Sequence, residues 1–564
     1  MASSSKCTGP IIPNEDGPAF RCFKKFRSDV VLLLYSPYVI CLASGTLNID
    51  AFRHSISQDV AFLNAFARAY ELAEDCADDD DEKLDISKLR KKILDALEMH
   101  DTIVEDWGLD STKDCPVHPA TLKYTEFVLE TASGKVGQLK PFATFATKFE
   151  KTKLAAYILG TIAPCIRLHA FLAKEIKELQ DSKENNHPYE KWIYNYSCED
   201  FQKFVQQTED LMDKLSVAFI GEELNINEKL YQQGLKLVIV FFHAQELTQP
   251  TVVPLTKALD PARDRLVLFS DFDLTCSVHD SSSILAEIAI VRAPKSDENQ
   301  PEGQITGMLE AEMRKTWRAI SREYSEEYER CIESILPPQK VEFNYETLHA
   351  ALEKVSDFEQ RENHKVVEAG LLKGLKLEDI KRAGERMMFQ DGCISFFQKI
   401  TKNENTDIHV LSYCWCSDLV RAAFSSGGLD VVNILANEFS FDESGSTGEI
   451  IGKIETPIDK VEAFCEILQG CSDDKRKLTV FIGDSVGDLL CLLKADIGIV
   501  IGTSISLRIV GTYYGVSFLP FFPSLVKKQK ELGAEGSHCL WKRESGILYT
   551  VSTWEEIHAL VLGN

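Results

Sequence analysis

The chain has 564 residues, 44% of them hydrophobic, and a formal net charge of −25 from 62 basic and 87 acidic side chains. That length exceeds what one core organises, so two to four domains are expected, each with a sizeable buried interior. The acidic surplus and the lack of a basic stripe argue against nucleic acid as a partner. Sixteen cysteines are scattered, several inside apolar runs (Cys41, Cys165, Cys491) and none in the paired spacing of a zinc ribbon. They read as reduced thiols of an intracellular protein.

Residues 1–27 read as a flexible N-terminal segment. It mixes Ser3, Lys6, Arg21, Lys24, Lys25 and Arg27 with Glu15 and Asp16, a composition only half suited to a transit peptide. A cytoplasmic location is expected, and a mitochondrial one if a longer N-terminus exists. The longest apolar run, Val30 to Ala43, is broken by Ser36 and Pro37. No stretch reads as the ~18–20 apolar residues that cross a bilayer, so no membrane association is expected.

Residues 28–250 carry helical periodicity with few strand signals, as in Phe52, Val60, Leu63, Phe66 and Tyr70. The acidic run Asp78 to Glu82 and the polar run Ser182 to Pro188 read as turns between helices. The pattern predicts an all-α bundle of seven or more helices. Residues 251–264, part of a three-proline stretch beginning at Thr248, read as a linker.

Several residues in the bundle stand out for chemistry. Ser36, Pro37, Gly45, Leu47, Phe52, Gln58 and Asp59 fall in one helix–turn–helix, and Tyr124 follows. Cys165 lies one helical turn before His169, and Trp192 to Tyr196 come next. Read alone, a helical cysteine is commonly a small core residue and aromatics at this spacing are commonly core. In this order, however, the residues resemble the TenA/thiaminase II family. The resemblance implies that Cys165 is the nucleophile toward an aminopyrimidine. Asp59 would grip the pyrimidine amine and ring nitrogen, and Tyr124 and Tyr196 would line or stack on the ring. It also implies self-association through helical faces as a possible assembly. Two positions depart from the family pattern. A tyrosine one turn after the cysteine is His169 here, and a late glutamate ahead of Phe241 and Phe242 aligns with Val238. Glu246 is the carboxylate on a neighbouring turn.

From residue 265 the texture changes to short apolar strands, each running into a polar cluster. One strand ends at Asp271, Asp273 and Thr275, a second at Ser412 and a third at Asp484 and Asp488, with Lys460 between the last two. In an open parallel sheet such strand ends converge on one pocket. Asp271 is placed to attack phosphorus, and Asp273, two residues on, to pass protons. Asp484 and Asp488 would repel Asp271 unless a hard cation such as Mg²⁺ lay among them. The set resembles the four motifs of the haloacid dehalogenase (HAD) phosphatases. By that resemblance Asp271 is the nucleophile and Asp273 the acid/base. Thr275, Ser412 and Lys460 bind phosphate, while Asp271, Asp273 (by its carbonyl), Asp484 and Asp488 hold Mg²⁺.

The expected fold class is thus multidomain: a TenA-like helical bundle, then an α/β Rossmann-like HAD domain over 265–564 with an inserted helical cap at about 284–388. Such a fusion is similar to the plant bifunctional proteins of thiamine metabolism. The resemblance implies hydrolysis of thiamine monophosphate beside aminopyrimidine salvage, with small molecules as partners. Two alternatives stay open. One keeps the phosphatase but makes the bundle an inactive binding or oligomerisation module, and the other is a general phosphomonoesterase.

Overall fold

The computed structural model describes residues 17–77, 79–106, 116–135, 148–180, 187–294, 308–430, 432–470, 475–535 and 541–563. The expectations for residues 1–16 and for the turn residues 78 and 182–186 lie outside this set. The chain divides into two compact units, one running to Val253 with a return from Leu525, the other from Pro254 to Ser524 with a segment ending at Leu562.

The first unit is all helical. Its axis is helix Lys148–Glu178, whose side chains Leu159, Ile162, Leu168 and Leu172 are fully buried. The part from Lys153 is long and apolar enough by composition to cross a membrane, with a mean hydropathy of 1.4. This corrects the expectation that no stretch reaches that length. Most of its apolar window (89%) is buried inside the fold, which makes it a core helix. Helix Gly221–His243 packs along it, and Gly234 sets how closely. A Cβ at Gly234 would lie 2.9 Å from the Thr161 carbonyl oxygen and 3.0 Å from Pro164 Cγ.

Three other expectations shift. The N-terminal segment is not wholly loose, because Pro18–Lys25 is a helix with Ala19 and Cys22 buried. The buried stripe of helix Asp59–Cys76 is Phe62, Phe66, Ala69 and Tyr70, with Val60 and Leu63 only half-buried. The acidic run does not stay a turn: Asp80 to Glu82 form the first turn of helix Asp80–Asp106. Carboxylates there are favoured by the positive end of the helix dipole.

The second unit is built on a seven-stranded parallel sheet. Its strands are β1 (Asp264–Ser270), β2 (Thr406–Leu411), β3 (Asn433–Leu435), β6 (Arg476–Gly483), β7 (Ile497–Ile501), β8 (Ser517–Pro520) and β9 (Ile547–Val551), in the order β3-β2-β1-β6-β7-β9-β8. Central strands buried on both faces read as continuous apolar runs, as β1 and β7 do. The boundary between the two units falls inside the segment expected as a linker, in which Leu255–Ala258 forms a helical turn ahead of β1.

Between β1 and β2 the chain forms helices Ser281–Arg292, Glu310–Ile335, Tyr345–Glu368 and Leu377–Gly384. A second insertion, the antiparallel hairpin β4 (Glu438–Asp442) and β5 (Gly445–Ile451), packs against the third of these. The hairpin escaped the sequence reading because it is short and largely polar. All cysteines in the described residues are free thiols.

Gly234→Leu should force Lys148–Glu178 and Gly221–His243 apart and destabilise the helical unit by about 1–3 kcal/mol. A lowered denaturant midpoint in far-UV circular dichroism checks this, and an unchanged midpoint contradicts it.

Candidate active sites

Parallel register brings the strand ends of the α/β unit level. Ser270 of β1 stands opposite Val410 of β2 and Ile482 of β6. Asp271, Ser412 and Asp484 each follow within two residues of that line, so three of the four clusters meet without any long side chain. Helix Pro457–Gly470 delivers the fourth member, Lys460, from its first turn. Lys460 has no exposed surface, and its Nζ lies 2.7 Å from both Asp271 Oδ1 and Asp488 Oδ1. The ammonium also sits 4.2 Å from the centre of the Tyr413 ring.

Each carboxylate has its own holder. Asp273 accepts bonds from Ser281 N at 2.7 Å and Ser281 Oγ at 2.9 Å, and from Ser412 Oγ at 3.3 Å. Thr275 donates to Asp484 Oδ1 at 2.9 Å. Asp488 Oδ2 accepts from Asp484 N, Ser485 N and Ser485 Oγ, while Oδ1 takes Lys460. Between Asp273 and Thr275, Leu274 adopts φ of 60°, the one positive value among non-glycine described residues. Strain of this kind persists where the surroundings over-determine the backbone, commonly at functional sites.

Burial is the main force on these acids. It pushes the Asp271 carboxyl up to about 7, with repulsion from Asp488 adding and Lys460 opposing. Burial and then the charges of Asp280 and Asp271 raise Asp273 to about 8. Asp484 rises to about 8 through burial and the charges of Asp271 and Asp488. One lysine therefore does not neutralise the cluster. Carboxylate oxygens of Asp271, Asp484 and Asp488 lie within 4.8 Å of one another, a donor set of the hard oxygen type that suits Mg²⁺. Both Asp488 oxygens are already engaged, so Asp271 and Asp484 are the carboxylates best placed to receive a cation.

The structure thus brings together Asp271, Asp273, Thr275, Ser412, Lys460, Asp484 and Asp488. Thr275 and Ser412 have no exposed surface, and their hydroxyls serve the carboxylates. Ser281 and Tyr413 escaped the sequence reading. Asp280 before Ser281 is a helix-cap signal, since its carboxylate accepts from Ser282 N at 2.8 Å, but nothing local ties that cap to Asp273.

In the helical unit, Cys165 is 4% exposed, with Sγ 3.7 Å from His169 Nδ1. That nitrogen also lies 2.9 Å from the Cys165 carbonyl oxygen, so it serves as the carbonyl's donor and not as the thiol's base. Burial, and then the charge of Asp59, push the thiol above its ordinary range. Burial lifts Asp59 itself to about 7, opposed by the Tyr196 hydroxyl 3.5 Å away. The His169 ring centre lies 5.0 Å from that of Tyr196 and 5.3 Å from that of Phe242. Tyr124 is fully buried and donates to the Thr161 carbonyl at 2.9 Å. Val238 is completely buried and Glu246 is exposed. A nucleophilic role for Cys165 requires a thiolate, and its burial here favours the neutral thiol.

Residues 36–247 match the TENA/THI-4/PQQC family model. Over 569 residues the chain is 57% identical to the bifunctional TH2 protein, mitochondrial, of Arabidopsis thaliana, covering 100% of this chain and 92% of that protein. It is 25% identical over 199 residues to the aminopyrimidine aminohydrolase of Helicobacter pylori, 35% of this chain and 82% of that one. Among solved structures, a phospho-aspartyl intermediate analogue of phosphoserine phosphatase matches 44% of this chain and 91% of its own, at 19% identity and a TM-score of 0.28.

Lys460→Met would leave Asp271 and Asp488 buried without their cation and should cost about 3–5 kcal/mol of stability at neutral pH. Asp488→Asn in the same chain should recover part of it. Urea unfolding of the single and double variants checks this, and equal midpoints for wild type and Lys460→Met would contradict it.

Proposed function

The chain belongs to the family of the Arabidopsis bifunctional TH2 protein, a TENA/THI-4 domain joined to an α/β unit, and from that premise we propose two activities. The α/β unit is a Mg²⁺-dependent phosphatase that converts thiamine monophosphate to thiamine. The helical unit is an aminopyrimidine aminohydrolase that serves thiamine salvage. The observation that carries the first reading is the nucleophile–acid pair at the end of β1: Asp271 clamped by Lys460, with Asp273 held by Ser281 beside it.

Asp271 attacks phosphorus and forms an acyl-phosphate as the ester oxygen departs. Asp273, protonated at neutral pH by its burial, gives that oxygen its proton. As a carboxylate it then takes a proton from the water that opens the acyl-phosphate, which returns Asp271 and releases phosphate. Lys460 and Asp488 keep the Asp271 carboxylate aimed throughout. Magnesium, held by Asp271, Asp484 and the Asp273 carbonyl, would offset the charge of the phosphoryl oxygens.

At the second site Cys165 would add to the aminopyrimidine ring at the carbon bearing the amine. Asp59 and Tyr196 hold the pyrimidine, the amine leaves as ammonia with the thiol's proton, and water then displaces the sulfur, which releases a hydroxypyrimidine and restores the thiol. The thiol must lose its proton on substrate binding, because it is neutral at rest. The inactive-module alternative keeps one specific support: an apolar, fully buried Val238 stands where the family pattern has a carboxylate. The name of the Arabidopsis relative is mitochondrial, which supports mitochondrial residence for this chain; the cytoplasmic expectation has no such support.

A panel of phosphomonoesters assayed with Mg²⁺ and with EDTA tests the phosphatase. Thiamine monophosphate should give the highest kcat/KM, and EDTA should abolish release. Asp271→Asn should keep no more than a few per cent of turnover, and Asp273→Asn should lose about 10²–10⁴-fold. A flat profile across the panel would overturn the substrate, and full activity in EDTA would overturn the class.

Ammonia release from an aminopyrimidine tests the other half. Cys165→Ser should stop it while phosphate release continues. Release that survives the substitution, or never exceeds background, would favour the inactive module.

A further inference from the structure

Over the catalytic acids, helices Glu310–Ile335 and Tyr345–Glu368 wall a cavity of about 470 Å³. Trp317, Tyr324 and Tyr328 reach it from one face of the first helix, and Trp415 from the loop after β2. The second helix adds Glu359 and Glu362, one turn apart. Among the described residues, no lysine or arginine lines the cavity.

Glu362 is 4% exposed, and its Oε2 accepts no hydrogen bond. Lys365 Nζ lies 2.9 Å from Glu362 Oε1, but it is shared with Glu323 and Glu327, so one cation serves three acids. Glu359 takes only a neutral donor, the Tyr324 hydroxyl at 3.0 Å. Burial, with the Glu362 charge adding, pushes the Glu359 carboxyl up to about 7. Carboxylates held out of water without enough donors are costly, and a ligand that brings positive charge relieves them. Aromatic faces attract the same kind of ligand.

We propose that this cavity selects phosphomonoesters whose leaving group is a flat aromatic cation, with Glu362 and Glu359 as its counter-charges and Trp317, Tyr324, Tyr328 and Trp415 as its aromatic wall. The inference rests on the thiamine monophosphate reading and identifies positive charge as the property that distinguishes that substrate. A neutral ring of the same shape would fill the cavity and leave the acids short of positive charge. An anionic leaving group would be repelled.

The test uses two esters of one skeleton: the phosphate of a hydroxyethyl-methylthiazole, which is neutral in its ring, and its N-methylated thiazolium counterpart. Wild-type enzyme should favour the thiazolium ester by about tenfold or more in kcat/KM, a modest share of the attraction available between close charges at low dielectric. Glu362→Gln, which keeps the shape, should bring the ratio toward one, mostly through a higher KM for the cation. Glu359→Gln gives a second reading if the first variant does not fold. A wild-type ratio near one, with thiamine monophosphate still hydrolysed, overturns the inference and leaves the substrate reading standing. A thiazolium preference in an enzyme that does not hydrolyse thiamine monophosphate supports the inference and overturns that reading. A preference that survives both glutamine variants removes the acids from the role.

Discussion

The α/β unit depends on one buried cation. Lys460 has no exposed surface and stands between Asp271 and Asp488, and no other described lysine or arginine side chain pairs with either acid. Its helix is fixed at the start by Thr456, whose carbonyl accepts Lys460 N at 3.0 Å and whose hydroxyl accepts Asp459 N at 3.1 Å. Asp488 in turn closes the turn after β6, where a Cβ at Gly483 would lie 2.6 Å from Asp488 Cγ. Lysine, aspartate and glycine therefore form one unit, and the position of Asp271 at the end of β1 is set by it. Without the cation these buried acids would shed their charge by taking protons.

The two units show contrasting uses of burial. In the α/β unit, burial raises both Asp271 and Asp273, and Lys460 opposes it at Asp271, so two carboxylates two residues apart stand in different surroundings. In the helical unit, burial acts on Cys165 without an opposing cation and holds the thiol neutral. That difference explains why motif residues point so directly to chemistry in one half and less directly in the other.

What could be read from the sequence follows the same physics. A parallel strand ends at a defined place, so the residues after Ser270, Leu411 and Gly483 announce a shared pocket from local pattern alone. Cys165 and Asp59 could be picked out by resemblance, but their protonation depends on packing among helices far apart in the chain. Ser281 was not legible because its bond to Asp273 joins a helix start to a strand end. Val60 and Leu63 belong to a helix, as their periodicity suggests, but the buried stripe runs through Phe62, Phe66 and Ala69, which periodicity alone does not single out. The apolar Lys153–Glu178 segment shows the reverse limit: composition alone does not separate a core helix from a span, and only its burial does.

The central claim is that Asp271 accepts the phosphoryl group of thiamine monophosphate. Its most direct measurement is an acid quench during turnover with phosphate-labelled substrate, followed by peptide mapping. The account predicts an acid-stable, hydroxylamine-labile label on the peptide that contains Asp271. Steady turnover with no label on the protein, or a label on another residue, would contradict it.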